Sequence, residues 1–149
     1  MLYASNEMGE YEGEQQGAVS SLAFDPVAAT LTPINSQGAR GRAPCSIAVE
    51  RSGRYLFAAN YSSGSVARFP ILADGSLAPA SDVVQHSGAS VNVERQEGPH
   101  AHQVKLSPDN RFLYVCDLGL DKVMIYALDL AAGELRAHGF ARLQPGAGP

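Results

Sequence analysis

Long apolar runs are missing from this chain of 149 residues: nothing approaches the roughly 18 consecutive apolar residues of a membrane-spanning helix. The N-terminus has neither the basic stretch nor the apolar centre of a secretory signal. Together these absences set the expectation of a cytoplasmic protein with no membrane partner. Positive charge is not in excess either. Eleven Lys and Arg against fifteen Asp and Glu leave a net charge of -4, without the basic surface that displaces counterions from phosphates, which argues against a nucleic-acid partner. Cysteine is scarce. Cys45 and Cys116 lie in separate apolar runs with no metal-type neighbour two or three residues away, so neither a zinc site nor a disulfide framework is indicated, and both are expected to be buried free thiols. Finally, no segment sustains a 3.6-residue apolar period, which removes helices from the expected architecture.

What the chain does have is self-similarity. Arg54-Tyr55-Leu56-Phe57-Ala58-Ala59-Asn60 returns as Arg111-Phe112-Leu113-Tyr114-Val115-Cys116-Asp117, and Leu2-Tyr3-Ala4-Ser5-Asn6 is a third copy. Each copy precedes a polar loop and a second apolar run, marked by Val19, Leu22 and Phe24, then Val66, Phe69 and Ile71, then Val123, Tyr126 and Leu128. A fourth strand is expected at Thr30–Pro33, Ser76–Pro79 and Glu134–Ala137, and a first strand at Pro44–Val49 and Pro99–Val104. Asp74-Gly75, Ser52-Gly53 and Ser107-Pro108-Asp109-Asn110 supply turn chemistry between them.

Four antiparallel strands recurring at about 50 residues point to propeller blades; a β-sandwich is the rival, but would not need the strand set to recur in register. The expected fold is therefore an all-β propeller fragment with four-stranded antiparallel blades: a partial blade over 1–43, a full one over 44–98, and another over 99–149 with the turn that opens the next. The chain starts inside a strand pattern at Met1 and stops in a turn at Gly146-Ala147-Gly148-Pro149, so both ends are expected to be cuts and the missing blades to be partners. Repeat units bury their apolar faces against neighbours. An isolated three-blade chain is accordingly expected to self-associate or aggregate in sedimentation; a monomer that melts cooperatively in calorimetry would overturn this.

In such blades the loops before strand one and between strands two and three share the face that usually binds ligands. Here these are Asn6–Gln16, Gln37–Arg42, Tyr61–Ser65, Glu94–His102 and Leu118–Lys122, and loops on a rigid scaffold are where binding residues concentrate. The acidic stretch Glu7–Glu14 is expected to be a solvated loop. Arg40, Arg42 and Arg95 stand just before first strands, where they could meet an anion. His100 and His102 alternate with Ala101, which in a strand sends both rings to one face. Aligning Pro44 with Pro99 sets Cys45 against His100 and Ile47 against His102. A shared structural demand would not replace small or apolar residues by two titratable rings, and histidine titrates where general acid/base work is done. His86 and His138 are expected at the surface, Asp121-Lys122 as an exposed pair, and Asp117, matched by Asn60 and Asn6, in a recurring Asx-type turn. Two histidines at i, i+2 without a carboxylate partner indicate no metal site.

Gly98-Pro99-His100-Ala101-His102, the run Leu106–Val115, Asp117-Leu118-Gly119-Leu120-Asp121-Lys122-Val123, Ala59–Val66 and the closing Gly146-Ala147-Gly148-Pro149 together resemble the lactonase family of seven-bladed propellers, 6-phosphogluconolactonase-like, over essentially the whole chain. The resemblance implies hydrolysis of a sugar lactone, 6-phosphoglucono-δ-lactone to 6-phosphogluconate in the pentose phosphate route, with no cofactor and a small-molecule lactone or phosphorylated sugar acid as partner. It implies His100 or His102 as the catalytic base, with Arg40, Arg42, Asn60, Tyr61 and Arg95 as substrate contacts. It also implies that an Arg-His pair and further Glu and Arg residues of later blades complete the site, so this chain is expected to be inactive alone. A related cyclase or lactonase on another organic acid, and a binding platform without chemistry, are the other function classes, since fold does not fix function.

Overall fold

The computed structural model describes residues 1–149 as eleven strands in three antiparallel meanders. The first sheet has three strands, β1 (Leu2–Asn6), β2 (Ala18–Asp25) and β3 (Thr30–Gly38). The second has four, β4 (Pro44–Val49), β5 (Tyr55–Asn60), β6 (Ser65–Pro70) and β7 (Asp82–Gln85). The third has β8 (Ala101–Leu106), β9 (Phe112–Asp117), β10 (Lys122–Asp129) and β11 (Glu134–Arg142), with a single 3-10 turn at Leu118–Leu120 between β9 and β10. Each strand pairs with its neighbour in sequence, and β4 lies beside both β1 and β8, so the three sheets pack face to face like successive blades. No helix is long and apolar enough to cross a membrane.

The middle sheet explains why the repeated strand reads as an unbroken apolar run. Side chains of a strand alternate between faces, and β5 is covered on both. Leu56 and Ala58 pack with Val19, Ala39, Ala67, Phe69 and Leu77 toward the first sheet, while Phe57 and Ala59 pack with Val66, Val104, Leu113, Val115 and Tyr126 toward the third. A strand buried on both faces loses its polar alternation. The outer surfaces of the flanking sheets instead carry half-exposed Phe24, Leu31 and Phe140.

The fourth strand of the middle sheet is displaced from its expected position. Ser76–Pro79 does not enter the ladder. The Asp74-Gly75 turn, with Gly75 at φ 84° and Asp74 Oδ1 accepting from Ser76 N, folds Leu77 back against Ile71. Pro79 has no N–H to donate, and regular pairing resumes only at Asp82–Gln85 opposite Ser65–Arg68.

The turns on the face opposite the candidate ligand loops tie the second and third sheets together. Glu50, 1% exposed, accepts hydrogen bonds from Ser52 N, Ser52 Oγ, Arg54 N and, across the joint, Asn110 Nδ2. Asn110 returns the contact by accepting from Arg51 N. It can do so because it holds the left-handed turn position, φ 60°, that Gly53 holds at 71° in the sister turn; asparagine tolerates that backbone and also brings an amide.

Candidate active site

At the other end of the same joint, three rings meet. Tyr61, just after β5, stacks on His100 with centroids 4.7 Å apart and planes at 21°, and meets His102 edge-on at 5.8 Å. His100 Nδ1 lies 3.2 Å from Tyr61 O. A carbonyl can only accept, so Nδ1 carries the proton in the neutral ring, and Nε2 is left facing Glu97 Oε1 at 3.4 Å. His102 is exposed and makes no hydrogen bond through its ring. Glu97, three residues before His100, was not singled out by the sequence; the i, i+3 spacing in a turn is the signal that was there.

The histidines reach Tyr61 by a route that strand alternation does not predict. His100 precedes β8, and His102 sits in a β-bulge, since Ala101 pairs with Asp117 and Gln103 with Cys116. The sister sheet has the same bulge, with Pro44 opposite Asn60 and Ser46 opposite Ala59. Matching the bulges corrects the sequence alignment by two residues: His102 corresponds to Cys45, and His100 to Ala43. Tyr61 N bonds to Ala43 O just as Leu118 N bonds to His100 O. The contrast survives, because small residues still stand where the third sheet has imidazoles. The shift arises because the two prolines are not equivalent: Pro44 opens β4 opposite Asn60, whereas Pro99 stands two residues before Ala101, which opens β8 opposite Asp117.

The remaining candidate residues are dispersed. Arg42 is exposed, and its N–H donates to Ser63 Oγ at 2.7 Å, in the loop that begins with Tyr61. Arg40 lines a hollow with Glu14, Gln15 and Gln16, and Arg95 another with Asn92, Gln96 and Leu118; neither hollow contains a histidine. Asn60 is fully buried, its amide donating to Ala39 O and Ser65 Oγ.

Two expectations about polar residues are overturned by burial. His86 is 4% exposed, not at the surface, and its Nδ1 lies 2.5 Å from Asp117 Oδ2. Asp121 is 2% exposed and does not pair with Lys122; it accepts from Ser90 Oγ, Gln96 Nε2, Gly146 N and Gly148 N. Burial alone would raise its pKa, but these donors hold it well below the usual carboxylate range, and they anchor the segments on either side of Arg95. Asp117 does cap the 3-10 turn through Leu120 N, as an Asx role requires, and also binds His86 and His100 N. Both cysteines are free but only partly buried. Burial, with Glu7 adding to it, pushes the Cys45 thiol up, and the thiol points at His102 O from 3.3 Å. His138 is at the surface.

Meandering four-stranded sheets packed face to face, with a histidine cluster on the loop side of one joint, define a β-propeller with a candidate catalytic face. The chain belongs to the lactonase family of seven-bladed β-propellers, whose family model matches residues 1–149. It is 37% identical over 139 residues to the 6-phosphogluconolactonase of Bacillus subtilis, covering 93% of this chain and 39% of that protein. It is 27% identical over 143 residues to the 6-phosphogluconolactonase of Formosa agariphila, covering 94% and 40%. The solved periplasmic gluconolactonase of Pseudomonas aeruginosa superimposes with a TM-score of 0.87 at 38% identity, over 99% of this chain and 43% of that one. The chain thus spans about two fifths of the length of the relatives it matches.

Proposed function

We propose that this chain forms part of a seven-bladed lactonase that hydrolyses 6-phosphogluconolactone to 6-phosphogluconate, with the other blades supplied by further polypeptide. The observation that carries the proposal is the Tyr61–His100–His102 cluster on the loop face of a lactonase-family propeller. In this reading His100 is the base. Its Nδ1–H is held by Tyr61 O, which leaves the Nε2 lone pair for water, and Glu97 stands ready to stabilise the imidazolium. Water oxygen attacks the lactone carbonyl carbon as its proton passes to Nε2. The ring C–O bond then breaks, and the leaving alkoxide takes the proton back from Nε2. His102 adds a donor for the developing oxyanion. Arg42 is the favoured phosphate contact from this chain, since its loop is tied to that of Tyr61; Arg40 and Arg95 would serve only at the margins of the site.

Replacing both histidines, H100A/H102A, in the complete propeller is expected to lower kcat/KM for 6-phosphoglucono-δ-lactone by at least about a hundredfold, the lower end of what a positioned general base contributes. Unchanged kinetics would remove both residues from the mechanism. The Pseudomonas relative is named as a gluconolactonase and a periplasmic protein, which favours, as a second reading, an unphosphorylated lactone outside the cytoplasm. Comparing kcat/KM on the two lactones, and fractionating the native protein, separates the readings.

A further inference from the structure

Among the positions that differ between the histidine-bearing joint and its sister, three are linked to one another. Ala39, Asn60 and Ala43 of the earlier joint become His86, Asp117 and His100 in the later one. Backbone bonds fix the equivalence: Ala39 N to Gly17 O matches His86 N to Gly64 O, and Tyr61 N to Ala43 O matches Leu118 N to His100 O. Asn60 and Asp117 occupy the same end of the paired second strand.

The wiring differs sharply between the two. In the sister, Asn60 Nδ2 donates to Ala39 O, Asn60 Oδ1 has no partner, and Ala43 N bonds to Met8 O instead. In the later joint, Asp117 Oδ1 accepts from His100 N at 2.9 Å and Leu120 N at 3.2 Å, while Oδ2 meets His86 Nδ1 at 2.5 Å. A carboxylate satisfies three donors because it has only acceptors; an asparagine would present an NH₂ group to one of them. His86 is held flat beside Tyr126, planes 15° apart, and its Nε2 has no partner. With Asp117 at 0% and His86 at 4% exposure, neither can touch a substrate.

We propose that His86 and Asp117 are positioning residues for His100. Their pairing across the second and third sheets fixes Asp117 Oδ1 where it holds the His100 amide, and so sets the imidazole against Tyr61. The inference rests on the reading of His100 as the base. The fold itself does not demand this arrangement, because Ala39 and Asn60 close the same kind of joint with no acid and no imidazole.

The double variant H86A/D117N rebuilds the sister pair in the later joint. In the complete propeller it is expected to lower kcat for lactone hydrolysis about tenfold with KM within about twofold, the signature of an interaction felt in the transition state. Hydrogen exchange of the His100 amide should speed up by at least about tenfold as its buried acceptor is lost. Where the double variant does not fold, D117N alone, which keeps the His86 ring in place, is expected to shift both readouts the same way. An unchanged His100 exchange rate overturns the proposal whatever happens to kcat. Faster exchange with unchanged kcat overturns it too, provided H100A lowers kcat. If H100A leaves hydrolysis intact, the reading of His100 as base is what has failed, and the exchange rate alone decides whether His86 and Asp117 position it.

Discussion

Phe57→Ala is expected to destabilise the propeller by about 3–5 kcal/mol, measured as a fall in the urea midpoint at unchanged slope. Phe57 is 1% exposed, and its ring belongs to the cluster of Val66, Val104, Leu113, Val115 and Tyr126 between the second and third sheets. Truncation removes the transfer energy of the ring and leaves a cavity that two sheets held by their own ladders cannot close, since the backbone of β5 is pinned by β4 on one side and β6 on the other. The same substitution at Phe24, 51% exposed on the first sheet, supplies the control and is expected to change stability by less than about 0.5 kcal/mol. Equal effects at the two positions would falsify the assignment of Phe57 to a shared inter-sheet core. A loss at Phe57 alone would mean that the joint carrying the candidate site is also a main source of cohesion between blades. The placement of His100 would then depend on that core, because Tyr126 of the cluster lies parallel to His86, which meets Asp117, the acceptor of the His100 amide.

The strands were legible in the sequence because their determinants are local: β-branched and aromatic runs, Gly and Asn at left-handed turn positions, and a repeat that supplied its own control. The fourth strand of the middle sheet was misplaced because Ser76–Pro79 has the composition of a strand, whereas the backbone geometry of the Asp74-Gly75 turn and the missing N–H of Pro79 decide the pairing. His86 and Asp121 looked like surface residues because each sits in a polar stretch; what buries them is the neighbouring segment, 31 residues away in each contact with Asp117 or Ser90. Of the candidate site, the histidine pair and Tyr61 were visible as residues, but their meeting depends on a bulge at His102, and alternation alone cannot report a bulge. The arginines were visible only as charges on loops, and the fold sends Arg40 and Arg95 to different hollows.

Acid should open the same joint from its other end. Burial by itself would raise the pKa of Glu50, but hydrogen bonds from Ser52, Asn110 and Arg54 outweigh it and bring the group down from 4.5 to about 2. A carboxyl whose folded-state pKa lies below its unfolded value favours the fold whenever it is ionised. That contribution, about 3 kcal/mol for a shift of this size, is fully present above pH 4.5 and is lost as pH falls toward about 2. Glu50→Gln keeps the shape but cannot accept from all four donors, so it should cost about 2–3 kcal/mol at neutral pH and little near pH 2. Asp25, Asp74, Asp109 and Asp129 are also held down by hydrogen bonds, and the unsubstituted protein will lose stability in acid through them as well. The informative quantity is therefore the difference between the two urea stability curves, taken from pH 7 to pH 2. A difference that does not shrink on acidification would show that Glu50 acts through packing alone. A difference that closes would establish an ionised clamp between Glu50 and Asn110, in the one position where asparagine replaces the turn glycine of the sister blade.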